Sequence, residues 1–287
     1  MKPIYTLFKL LAFTASLVYF PTMTEANDSG AKLVGGGLVL QKLENISMFS
    51  EDLYISADKI IVNYVFENKS NRDINTIVAF PLPPHPVEPE SDTGAGVTAT
   101  PDEIGDNFVD FKTFVEGKRV KTDYNKQKTL GFNEHADQEV FQITYYWHQN
   151  FPANKKIKVR HEYRPITGSA VLNPVQNLTE MATSEYCPDR GFFNAMAKKQ
   201  KQGLDALYDD IGYILKTGGN WAGGTIGDFR LVVDKGDPDA IVTFCGKNVK
   251  KIGSTQFEMK AKNYTPRNDL YILIIGGWVK DGKPFFE

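Results

Sequence analysis

Residues 51–84 read EDLYISADKIIVNYVFENKSNRDINTIVAFPLPP, and their alternation decides the fold. Ile60, Val62, Tyr64 and Phe66 recur at period two, while Lys59, Asn63 and Glu67 share the other face with Ile61 and Val65. Successive side chains of a strand point to opposite faces, so this pattern predicts a strand with one face in a core. Asn68 to Asp73 is a run of turn formers. Thr76, Val78, Phe80 and Leu82 then line one face of a second strand. Pro81, Pro83 and Pro84 stop it, because proline has no N–H for the ladder. The two strands are expected to pair as a β-hairpin.

The same signals recur on both sides of this stretch. Asn27 to Lys32 reads as a polar lead-in, and Gly35-Gly36-Gly37 as a turn before a strand. Ile46 to Phe49 and Leu53 to Ile55 predict two short strands. His85 to Asn107, with Pro86, Pro89 and Pro101, reads as a long surface loop. Val115 to Val120 predicts a tight hairpin with Gly117 in its turn, and Asp123 to Asp137 is polar and irregular. A second large hairpin is expected from Val140–Trp147 and Ile157–Tyr163. In its second strand Lys156, Lys158, Arg160, Glu162 and Arg164 form a charged outer face, which reads as solvated.

Beyond Pro165 a linker is expected to lead to a helix at about 188–207, opened by Pro188 and Asp189 and faced by Phe192, Phe193, Met196, Leu204 and Leu207. Alternation returns at Ile211–Leu215, Phe229–Val233, Ile241–Phe244, Gln256–Lys260 and Leu270–Ile275. The expected fold is mainly β, an antiparallel β-sandwich in two packed halves, 27–165 and 166–287, with the helix at the junction. One continuous sandwich is the alternative, because no Gly/Ser linker separates the halves.

Residues 1–26 read as a cleaved secretory signal peptide. Lys2 and Lys9 are its cationic start, Leu10 to Met23 is uncharged, and Thr24-Glu25-Ala26 ends it. The uncharged run is shorter than the roughly 20 residues of a spanning helix, and Pro21 interrupts it, so no stable membrane span is expected. The expected location is therefore periplasmic or secreted. Apolar residues make 41% and charged residues 24% of the chain, ordinary values for a globular protein. The formal net charge is −2, and losing two lysines and one glutamate with the signal makes it −3. Such a balance gives no reason to expect nucleic acid as a partner.

Segments along the whole mature chain carry a resemblance. They are SEDLYIS (50–56), VNYVFENKS (62–70), VAFPLPP (78–84), VEGK (115–118), YYWHQNFPA (145–153), HEY (161–163), YC (186–187), YILKTGGNWAGGTIGDFRLVVDKG (213–236) and FCGKNVKK (244–251). In this order they resemble the bacterial secreted family catalogued as domain of unknown function 4424. Phe66 to Pro83 with Glu116-Gly117-Lys118 is also similar, more weakly, to the vault/inter-alpha-trypsin type of β-sandwich. The resemblance implies export and a β fold, and it carries over no catalytic residues.

No catalytic constellation is legible: there is no Gly-x-Ser-x-Gly elbow, no His-Glu-x-x-His and no phosphate loop, and no cofactor is expected. His148 and His161 lie on neighbouring strands of the expected second hairpin, yet no third zinc ligand accompanies them. The acids of Asp234-Lys235-Gly236-Asp237-Pro238-Asp239 do not match the spacing of an EF-hand, and turn chemistry explains them. The first functional reading is thus a binding or scaffold module for an envelope protein or glycan. Its candidate surface is the glycine-rich loop from Thr217 to Asp228, with Asn220, Trp221 and Asp228; the alternative is that Trp221 folds back to plug the end of the sandwich. The second is an envelope-polymer hydrolase using acids among Glu180, Glu185, Asp228 and Asp234. The third is a structural assembly subunit. Cys187 and Cys245 have no third cysteine to compete with, and in an oxidising compartment they are expected to form a disulfide.

Overall fold

The computed structural model describes residues 29–34, 37–86, 107–130, 139–172, 185–280 and 283–284. The expected signal segment, residues 87–106 of the expected loop, and Glu180 lie outside these. The chain runs through β1 (Ser29–Val34), β2 (Gly37–Gln41), β3 (Ile46–Ile55), β4 (Ile60–Asn68), β5 (Ile74–Pro81), β6 (His85–Pro86) and β7 (Lys112–Val115). It continues through β8 (Lys118–Val120), β9 (Asp123–Leu130), β10 (Glu139–Phe151), β11 (Lys156–Tyr163), β12 (Thr167–Leu172), helix α1 (Arg190–Lys201) and β13 (Asp205–Tyr213). The remaining strands are β14 (Ile226–Asp234), β15 (Ile241–Phe244), β16 (Lys250–Lys251), β17 (Gln256–Tyr264), β18 (Leu270–Lys280) and β19 (Lys283–Pro284).

Three sheets form the fold. An eight-stranded sheet has the order β16-β17-β14-β3-β4-β11-β7-β8. A six-stranded sheet runs β2-β1-β5-β10-β6 with β9 on β10, and a five-stranded sheet runs β12-β13-β18-β15 with β19 on β18. The inner face of the eight-stranded sheet supplies Val62, Tyr64, Phe66, Phe229 and Leu231 to one core. Val78, Phe80, Tyr145 and Trp147 of the six-stranded sheet enter the same core, as do Ile211, Tyr213, Ile272 and Ile274 of the five-stranded one. The result is a mainly β, sandwich-like stack. The expected boundary near Pro165 falls between β11 and β12, and the eight-stranded sheet takes β14, β16 and β17 from beyond it.

The strands of the opening stretch exist with the expected inner faces, but they do not form a hairpin. β4 pairs with β3 and β11, whereas β5 pairs with β1 and β10 in the facing sheet. The connection is an arch that crosses the core. β10 and β11 make a second arch in place of the second expected hairpin, for the same reason: both apolar faces fill the space between the sheets. Asn68 clamps the two arches together. Its side chain is buried; Nδ2 donates to Phe151 O (2.8 Å) and Arg72 O (2.9 Å), and Oδ1 accepts from Ser70 N (2.9 Å). The short β7–β8 hairpin does form, with Glu116 (φ 48°) and Gly117 (φ 76°) in its turn.

Other expectations need correction. The sheets are not antiparallel throughout, because β14 runs parallel to β3 from Ile226↔Met48 to Val233↔Ile55. Ser29 to Val34 is a strand rather than a lead-in, and residues 46–55 form one strand with a bulge at Phe49. Asp123 to Leu130 is a strand despite its polarity, since eight residues ladder onto β10. The helix is shorter than 188–207. Asp189 caps it by accepting from Phe192 N (2.8 Å), and Gly203 (φ 69°) turns the chain away after it. Leu207 therefore belongs to β13 and is exposed. Phe192 and Met196 pack on Leu273, Ile275 and Trp278, so α1 covers the outer face of the five-stranded sheet.

The two histidines lie in different sheets. His148 is exposed on β10, opposite Ile77. His161 is buried and contacts Thr113 Oγ1 through Nδ1 (2.9 Å) inside a shell of Phe80, Phe111 and Trp147. In the turn after β14, Asp234 accepts from Gly236 N (3.0 Å) and Asp237 from Asp239 N (2.8 Å), so both acids serve as turn formers.

Candidate functional site

Trp221 is not a free aromatic on a loop. It is 2% exposed, and its ring centroid lies 4.3 Å from that of Phe66 and 6.1 Å from that of Phe151. The surrounding glycines let two short 3-10 turns wrap the indole: Gly223 (φ 83°) and Gly224 (φ 62°) adopt the left-handed region. Asn220 ties the plug to the start of the fold. Its carbonyl accepts from Leu43 N (3.0 Å), and its Nδ2 donates to Ser29 Oγ (3.1 Å). Trp221 and Asn220 therefore close the end of the sandwich. Asp228 lies apart from them, ion-paired with Lys262 on the wet face of the eight-stranded sheet.

A cleft of about 200 Å3 opens instead where the end of β5, strand β10 and the five-stranded sheet meet. Gln142, Glu185, Lys216, Asp269 and Tyr271 line it, with Pro83 and Pro84 on one side. Asp269 is fixed before β18: Oδ1 accepts from Leu215 N and Lys216 N (3.2 Å each), and Oδ2 is 3.0 Å from Lys216 Nζ. Glu185 arrives from the segment before α1. Two contacts, one with β15 and one just beyond it, hold that segment: Thr243 Oγ1 donates to Tyr186 O (2.9 Å), and the Cys187 and Cys245 sulfurs are 2.07 Å apart, at bonding distance. Tyr271 comes from β18 and faces Tyr186, with ring centroids 6.5 Å apart.

Carboxylates dominate the field around these rings. Burial pushes the Tyr271 phenol up to about 12, and the charges of Asp269, Glu185 and Asp210 add to the rise. The Tyr186 phenol is raised by burial and by Asp210. Asp210 itself, on β13, is pushed up to about 6, first by burial and then by the Glu185 charge, while a hydrogen bond from Tyr186 opposes the rise. Its Oδ1 is buried without a hydrogen-bond partner. Perturbed acids beside a cleft mark functional sites more often than ordinary surface does.

The raised Asp210 has a consequence for stability. The folded protein binds this proton more tightly than the unfolded chain, whose carboxyl titrates near 3.8. Stability from this group is therefore greatest below pH 4 and falls as pH rises through about 6, by roughly 3 kcal/mol in all. Asp210→Asn is expected to be more stable than the parent at pH 7.5 and to lose that decline. Urea unfolding at pH 4.5 and 7.5 checks it; a parent and variant with equal pH dependence would contradict the buried acid.

The described acids of the hydrolase reading do not converge. Glu185 lines this cleft, Asp228 lines a groove on the wet sheet face, and Asp234 bonds to Tyr54 Oη (3.1 Å) and Gln256 Nε2 (2.8 Å) at the end of β14. The Thr113–His161 pair is sealed in aromatic core, out of reach of a substrate. Among the described residues no group of three or more His, Cys, Asp or Glu is placed to hold a metal ion. The cleft can bind and orient a polar molecule through carboxylate, ammonium, amide and phenol groups. Sequence reasoning named Glu185 here but missed Asp210, Lys216, Asp269 and Tyr271. A faint signal was available: Asp210 interrupts an apolar face of a strand.

A comparison with curated proteins finds no match. Among solved structures, the chain is similar to a candidate nutrient binding protein of Legionella pneumophila, with a TM-score of 0.51 and 17% identity. That likeness covers 88% of this chain and 70% of the other, and it extends to the fold. The family model described as domain of unknown function 4424 matches residues 26–140 and 125–273. With its matches together spanning residues 26 to 273, and with the β fold that the resemblance implied, the protein belongs to the domain of unknown function 4424 family.

Proposed function

We propose that this protein is an exported, non-catalytic binding module that captures a small polar solute in the cleft beside Tyr271. The observation that carries the reading is the convergence of Gln142, Glu185, Lys216, Asp269 and Tyr271, from four separate parts of the chain, on one cavity. Ligand sites are typically concave, with a few convergent polar groups on apolar walls. At about 200 Å3 the cleft is smaller than the roughly 300–1,000 Å3 of drug-sized pockets, which favours a solute of metabolite size. The description of the Legionella protein as nutrient binding supports the same class of function. Export is supported by the signal-like residues 1–26 and by the cysteine pair, since disulfides persist in oxidising compartments. No helix among the described residues is long and apolar enough to cross a membrane.

A thermal-shift screen of amino acids, amines, organic acids and monosaccharides tests the reading. A solute at a hundred times its Kd adds about 2.7 kcal/mol of stability. For a chain of this size that raises Tm by roughly 5–10 °C. The expected result is a hit whose shift disappears in Tyr271→Ala and in Glu185→Gln. A hit that shifts both variants as much as the parent would place binding elsewhere and sink the proposal.

A further inference from the structure

The Tyr271 cleft is chemically one-sided. Gly212 of β13 pairs with Tyr271 of β18 on its floor. A Cβ on Gly212 would lie 3.5 Å from the Pro83 side chain and 3.8 Å from the Tyr271 ring, so proline and ring meet over a residue without a side chain. Pro83, Pro84 and Ile214 make the apolar part of the lining. Asp210 stands two residues before Gly212 on β13 and therefore faces the same side of the sheet as Gly212 and Tyr271.

The polar groups divide unequally. Asp269 accepts from two backbone N–H groups, and its second oxygen lies 3.0 Å from Lys216 Nζ, so the ammonium of the lining is matched by the carboxylate beside it. Glu185 and Asp210 bring further carboxylates to the Tyr271 end. Burial is the larger cause of the raised Tyr271 phenol, but Asp269, Glu185 and Asp210 each add to the rise, which marks a negative potential at the ring.

Asp210 adds a demand of its own. One of its oxygens is bonded to Tyr186, while Oδ1 is buried without a hydrogen-bond partner. A buried acceptor left without a donor is costly, and native proteins leave few of them. What the floor of this cleft lacks is a donor with positive charge.

An ammonium group meets each condition. It carries three donors and no acceptor, and the face of a tyrosine ring attracts a cation. A carboxylate would meet like charge, and a neutral hydroxyl would leave the negative potential unanswered. We propose that the cleft selects an aliphatic primary amine, with the ammonium seated among Glu185, Asp210 and the Tyr271 ring and the stem along Pro83, Pro84 and Ile214. This rests on the solute-binding reading of the same cleft and names the class of its ligand.

Calorimetric titration of the purified protein at pH 7.5 with n-pentylamine, 1-pentanol and pentanoate tests the inference, because the three probes share one stem and differ in the head. The expected result is that pentylamine binds at least about tenfold more tightly than the other two, and that added salt weakens it by screening. Glu185→Gln and Asp210→Asn each weaken pentylamine at least about fivefold, while Tyr271→Phe, which keeps the ring, retains it. Asp228→Asn, on the wet face of the eight-stranded sheet, leaves it unchanged. Melting of the ligand-free variants at or above the parent temperature confirms that the fold survives. Pentanol or pentanoate bound as tightly as the amine, amine binding that survives both carboxylate changes, or no amine binding at all overturns the inference. The solute reading fails separately, when the hits of the wider thermal screen shift Tyr271→Ala and Glu185→Gln as much as the parent.

Discussion

Replacing Trp221 with alanine is expected to lower the unfolding free energy by about 3–5 kcal/mol, the range for large aromatic-to-alanine changes in a core. The indole is 2% exposed and packs on Phe66 and Phe151, which belong to the two facing sheets. Its loss leaves a cavity at the end of the sandwich, and the clamped arches on either side cannot easily collapse into it. Urea unfolding should show a lower midpoint with little change in slope, since the surface exposed on unfolding stays nearly the same. A loss below about 1 kcal/mol would be that of a surface residue, and the plug would not exist.

Replacing both Cys187 and Cys245 with serine is expected to cost about 4 kcal/mol in the chain-entropy account of a cross-link. The two positions are 58 residues apart, and the closed loop contains α1, β13, β14 and β15. The loss has a functional side. Cys187 directly follows Glu185 and Tyr186, so the bridge holds one wall of the Tyr271 cleft against β15. The double variant is therefore expected to bind the cleft solute more weakly even where it remains folded. Denaturant unfolding gives the stability, and thiol labelling of the denatured, unreduced parent gives the bridge itself. Labelling of both cysteines would show that no bridge forms.

The inner faces of the strands were legible because burial leaves a period-two trace. Ile60, Val62, Tyr64 and Phe66 read as core and are all buried. Their partners were not legible, because a hairpin and an arch impose the same alternation on each strand. What distinguishes them is the loop chemistry, here the buried Asn68 bonded across to Phe151 O, and a single asparagine among turn formers looks the same in both cases. The parallel pairing of β14 with β3 joins residues about 180 positions apart and leaves no local mark. β9 was missed for the opposite reason. Lys126 and Lys128 are exposed there, so the ladder to β10 forms it without an apolar face.

The site was less legible than the fold. Glycine-rich surroundings left two readings of Trp221 open, a presented aromatic and a plug folded back into the end of the sandwich; the indole is buried, and the glycines provide the turns that fold over it. Asp228 and Glu185 were named as single acids, and the fold assigns them to different cavities. Asp210, Lys216, Asp269 and Tyr271 carry no motif, since their meeting depends on how β13, β18 and the 3-10 turn after β13 stack. Chemistry at such a site becomes visible only after the long-range contacts are known.

The most direct test of the solute cleft is to titrate an isotope-labelled sample with the best hit of the thermal screen and follow backbone amide shifts by NMR. The account predicts saturable changes at Glu185–Tyr186, Gly212–Lys216 and Asp269–Tyr271, with the amides around Trp221 and Asp228 unmoved. Changes confined to other parts of the molecule would contradict it.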